Sequence, residues 1–129
     1  MLNLAYYVNN MRFGVKKLIW LGSSLDDLKS FPEDTQDEIG YALHYAQMGS
    51  TYSSAKIFKG HGSGVYEIVS NYNTDAYRAI YVVNLDECLY VLHAFQKKSK
   101  SGIKTPKPDL DVIETRLKQL RVLLKRGDL

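Results

Sequence analysis

A single cysteine, Cys88, leaves no internal disulfide to be made, and with only three histidines in the chain it belongs to no obvious zinc-ligand set. No run of about 18 apolar residues occurs, so the sequence offers no membrane-spanning helix. Arg12 and Lys16-Lys17 lie near a short apolar patch, without the charged, apolar and small-residue order of a signal peptide. The GxSxG, Walker A, GxGxxG and HExxH patterns are missing, and HGSG (61–64) is too short for a phosphate loop. The expectation from these absences is a reduced, cytoplasmic protein with no metal or other cofactor. Cys88 reads as a small apolar filler in a strand.

What is present fits one core. A length of 129 residues is the usual size of a single domain, and 45% hydrophobic with 24% charged residues is a globular rather than a disordered balance. The net charge of +3 is unevenly spread. Residues 26–38 carry Asp26, Asp27, Glu33, Asp34, Asp37 and Glu38 against Lys29 alone, whereas residues 97–107 carry five lysines and no acid. A separated basic patch suits an anionic partner, because lysine–phosphate contacts release counterions. A plain solvated loop is the alternative.

Residues 1–14 have no clear period and are expected to be an extension to a domain spanning 15–129. VKKLIWL (15–21) reads as a first strand. Ser24 and Asp27 resemble a capping box opening a brief helix, and Pro32 suits the first position of a second helix over 32–48. In that helix Ile39, Ala42, Leu43 and Ala46 form one apolar stripe. Period-two segments follow at 56–60, 65–70, 76–83 and 88–95, separated by short polar turns, and predict an antiparallel meander. Pro106 and Pro108 then exclude a strand, and Leu110, Ile113, Leu117, Leu120 and Leu124 mark a closing amphipathic helix. The fold class is α+β, with helices packed mainly on one face of the sheet.

Chemistry has few places to reside. Alternation on the strand 76–83 puts Arg78 with Ile80 and Val82, and Tyr77 with Tyr81. An arginine there needs a partner, either Glu67 on the neighbouring strand or a phosphate, for which its planar fork is suited. His93 reads as a half-buried strand residue and is also the best general acid or base in the chain. His61 reads as a solvated turn residue and His44 as a helix residue remote from the lysines.

The ordered segments WLGSSLDDLKSFPEDTQDEIGYAL, KIFKGHGSGVYEI, YRAIYVV and YVLHAFQKKSKSGIKTP resemble the HigB-like, phage-derived branch of the RelE/ParE toxin superfamily, over roughly residues 17–121. The resemblance implies a RelE-like fold, with an N-terminal helical hairpin and a C-terminal helix on a curved antiparallel sheet. It also implies a toxin of a type II toxin–antitoxin system, a metal-independent endoribonuclease that cuts mRNA on the ribosome. The implied partner is a helix-turn-helix (HigA-like) antitoxin. Arg78 matches the family's strand arginine that contacts the scissile phosphate. Lys97 and Lys98 match the positions that stabilise the reacting phosphate, and His93 is the candidate for proton transfer. Lys59 matches a basic RNA-contacting position, and Lys100 and Lys104 extend the basic loop. Val69 stands where related sequences often carry arginine, removing one positive charge and leaving the general base open. A ParE-like gyrase poison and a catalytically inactive toxin-like binding module are the competing readings.

Overall fold

The computed structural model of the chain describes residues 2–3, 15–97 and 104–127. The elements run β1 (Leu2–Asn3), β2 (Lys17–Leu21), α1 (Ser24–Lys29), α2 (Glu33–Gln47), β3 (Ala55–Ile57), β4 (Val65–Tyr72), β5 (Asp75–Val82), β6 (Cys88–Lys97) and α3 (Lys107–Arg126). The α+β class holds. Residues 4–14, within the expected extension, and Lys98, Lys100 and the Ser101-Gly102 pair lie outside the described residues.

The strands form one mixed sheet in the order β1-β2-β6-β5-β4-β3. The meander β3 to β6 is antiparallel, as its short polar turns require. The expectation of a wholly antiparallel sheet fails at β2, which lies parallel to β6 with Leu18 beside Leu89 and Trp20 beside Val91. From β2 the chain crosses through α1 and α2 to the far edge at β3, and the three antiparallel steps back through β4 and β5 bring β6 beside β2 in the same direction. The expected N-terminal hairpin is a short α1 and a longer α2 inserted between β2 and β3, so a strand precedes it.

Helices cover both faces of the sheet, not mainly one. Toward α1 and α2 lie Leu18, Trp20, Ile68, Ala79, Tyr81 and Val91, packed with Leu25, Leu28, Ile39, Ala42 and Leu43. Toward α3 lie Ile19, Leu21, Val65, Ile80, Val82, Tyr90 and Leu92, packed with Ile113, Leu117 and Leu120. The near-continuous apolar run of β6 is what a strand buried on both faces requires. The α2 stripe at Ile39, Ala42, Leu43 and Ala46 is buried as its spacing dictates. Among the described residues no helix is long and apolar enough to cross a membrane.

Local boundaries moved for local reasons. The α1 cap position is Ser23, whose hydroxyl donates to Asp27 at 2.8 Å, while Ser24 is buried and reaches the Val91 carbonyl. Pro32 is the cap of α2 rather than its first residue. β3 ends at Ile57 because glycines 60, 62 and 64 all take the left-handed backbone that L side chains resist.

Candidate functional site

On the α3 side of the sheet, alternation lines up a polar set across four strands. Lys56 faces Glu67, Glu67 faces Ile80, and Ile80 faces His93. In the adjoining row Val69 faces Arg78, and Arg78 faces Phe95. Arg78 therefore sits diagonally from Glu67, and its Nη1 donates to Glu67 Oε2 at 2.5 Å. Both groups are more than nine-tenths buried. Of the two partners the sequence left open, the structure shows the strand carboxylate, and Arg78 Nε is buried with no hydrogen-bond partner among the described residues. An unpaired buried donor costs about 1–3 kcal/mol.

His93 reaches this face by a backbone irregularity. Ile80 pairs with His93 but Tyr81 pairs with Val91, which leaves Leu92 as an extra residue in β6. The bulge turns Leu92 and His93 to the same side, where strict alternation from Val91 would aim His93 at α1 and α2. From there His93 Nε2 meets Asp109 Oδ1 in the first turn of α3 at 2.8 Å, and its ring stacks on Phe95 with centroids 5.1 Å apart. Its Nδ1 is buried and unpartnered among the described residues. A carboxylate on one nitrogen leaves the other free for proton transfer, provided a substrate gains access.

Lys97 lies on the same face, opposite Ala76 at the end of β6, and is only 4% exposed. Burial, followed by the Arg78 charge, pulls its ammonium below the ordinary lysine value, against the opposing pull of Glu67. Arg78, His93 and Lys97 are thus brought together, while Lys98 and Lys100 fall outside the described residues. Lys104 is exposed just before α3. Lys59 is exposed in the turn beyond β3, a turn tied to the middle of α3 rather than to Arg78. That turn also corrects the reading of His61. Its ring stacks on Phe58 and bonds the Lys59 carbonyl and Glu114, and Arg121 donates to its carbonyl.

Three participants were not selected from sequence as functional groups: Glu67, Asp109 and Lys56. Glu67 was legible only as a possible strand partner for Arg78. Asp109 carries a helix-start signal after Pro106 and Pro108, but its place beside His93 depends on how α3 crosses the sheet. The resulting set holds one carboxylate against an arginine, one histidine against a carboxylate, and further cations nearby. Such a set can accept a proton, donate one and stabilise charge developing on phosphate oxygens.

Half-buried Cys88 begins β6, where burial and the Asp86 charge push its thiol up. No curated protein and no solved structure matches the chain. Residues 26–118, well over half of the chain, match the sequence model of the family described as phage derived protein Gp49-like (DUF891), and the span takes in every residue of the polar face described above. The chain therefore belongs to this phage-derived Gp49-like family, a RelE/toxin-like family.

Proposed function

We propose that the protein is the toxin of a type II toxin–antitoxin system, of the HigB-like kind and RelE-like arrangement, and that it cuts mRNA on the ribosome without a metal. The observation that carries this reading is the pairing of Glu67 with Arg78 on the face that also holds His93, Asp109 and Lys97. In the proposed reaction Glu67 takes the proton of an RNA 2′-hydroxyl as that oxygen attacks the adjacent phosphorus. The bond to the 5′-oxygen breaks, and the His93 imidazolium gives that oxygen a proton, leaving a 2′,3′-cyclic phosphate. Arg78 and Lys97 stabilise the charge on the phosphate oxygens. The need for a 2′-hydroxyl confines the reaction to RNA. A helix-turn-helix antitoxin is the partner this reading calls for.

The test is controlled expression in a bacterium followed by primer-extension mapping of one message, with its start codon intact or mutated. Cuts confined to the translated message are the expected result; growth arrest without cuts would point instead to a gyrase poison. One observation favours a second reading, an inactive binding module: the Arg78 charge is already neutralised by Glu67. Neither arrest nor cuts would select that reading.

A further inference from the structure

The bulge in β6 is held by side chains from two other elements. Arg116 of α3 donates from Nη1 to the Leu92 carbonyl at 2.8 Å, at the inserted residue itself. Its Nη2 donates to the Ser23 hydroxyl at 3.2 Å, and Ser23 in turn donates to Asp27 at 2.8 Å. Ser24 donates to the neighbouring Val91 carbonyl at 3.3 Å. Gly22 makes the crossing possible, since a Cβ there would stand 2.6 Å from the Arg116 guanidinium, and its φ of +53° disfavours a side chain independently. The Gly22-Ser23-Ser24 corner and Arg116 thus clasp the carbonyls on which the bulge depends. The same helix supplies Asp109 two turns earlier, so one rigid element holds both the backbone before His93 and the carboxylate on its ring.

We propose that Arg116, passing over Gly22 to the Leu92 carbonyl, is a positioning residue that fixes the β6 bulge and so holds His93 on the face of Arg78 and Glu67. Its catalytic consequence rests on the ribonuclease reading above; its geometric consequence does not. Without the clasp the extra residue can shift along β6, and a shift of one residue carries a strand side chain to the opposite face. Ile113, Leu117 and Leu120 keep α3 docked when Arg116 is replaced, so the fold is expected to survive.

The experiment compares wild type, Arg116→Met, Arg116→Lys and Gly22→Ala as full chains. Nitrogen and ring-proton NMR reads the His93 Nε2 hydrogen bond to Asp109 and the contact between the His93 and Phe95 rings. Single-turnover cleavage and RNA binding are measured beside it. Arg116→Met and Gly22→Ala, acting from opposite sides of one contact, are expected to lose both His93 signatures in a folded protein. Cleavage should then fall roughly hundredfold, the cost of a misplacement of about 1 Å, with binding unchanged. Arg116→Lys, which retains one donor for the Leu92 carbonyl, should recover part of each. A folded Arg116→Met or Gly22→Ala with wild-type His93 signatures would overturn the proposal. Should Arg116→Met fail to fold, unaltered signatures in both Arg116→Lys and Gly22→Ala would overturn it equally. Lost signatures together with a wild type that cleaves nothing would leave the positioning role standing and remove the ribonuclease reading.

Discussion

Arg78 and Glu67 depend on each other, and that dependence shapes what mutations can reveal. Replacing Arg78 alone with alanine strands a buried carboxylate, so Arg78→Ala should lower unfolding free energy by about 3–5 kcal/mol. The paired change Glu67→Gln with Arg78→Met removes both charges at similar volume and should restore most of that loss without restoring cleavage. Chemical denaturation of these two variants beside wild type checks this; a paired variant as unstable as Arg78→Ala would show that the ion pair is not the source of the loss. Lys97 gives a pH-dependent counterpart. Its lowered pKa means that folding disfavours the charged amine, a penalty fully present below the folded value and relieved as pH rises toward the ordinary 10.5. Lys97→Met should therefore melt above wild type at pH 7, with the difference shrinking in alkaline solution. A difference that grows with pH would contradict the assigned cause. The Arg78–Glu67 partnership was readable in the sequence, because alternation on adjacent strands puts the two on one face. The Asp109 contact was not, since nothing local to residue 109 says which strand α3 crosses.

Elements followed their local chemistry wherever one signal dominated. The α2 stripe, the four strands of the meander and the closing helix stand close to where their periodicities put them. The parallel seating of β2 escaped because strand direction is set by the path through α1 and α2, which periodicity does not encode. The bulge escaped for a related reason: one extra residue in β6 is invisible until its register with β5 is known, yet it decides which way His93 faces. The β4–β5 turn offers a cleaner local test. Asn73 and Thr74 form a two-residue turn with φ of +49° and +68°. Glycine is at home in the second of these positions, and a β-branched threonine is strained there. Thr74→Gly should raise unfolding free energy by about 1 kcal/mol, since strain of this kind costs about 1–3 kcal/mol. Thermal melts check it, and a lower midpoint would mean that the strain is relieved elsewhere.

Across the whole molecule, the acidic stretch and the arginine–histidine set fall on opposite faces of the sheet. The acids at 26–38 belong to α1 and α2 on one face of the sheet, while the arginine, the histidine and Lys97, with the carboxylates of Glu67 and Asp109, occupy the other with α3. That division was half visible in the sequence as an acidic stretch; Arg78, His93 and Lys97 stand opposite it through strand alternation and the β6 bulge. The strand arginine and histidine were found by residue type, and Glu67 became a chemical candidate only when its burial against Arg78 placed a carboxylate beside the proposed phosphate grip. Glu67 therefore carries the proton-transfer step of the proposed reaction. The most direct measurement is the single-turnover rate of ribosome-bound mRNA cleavage by purified wild-type and folded Glu67→Gln protein. Glutamine can still accept the Arg78 hydrogen bond but cannot take up the 2′-hydroxyl proton. A fall of roughly 10²–10⁴-fold is the expected result. A Glu67→Gln rate equal to wild type would contradict it.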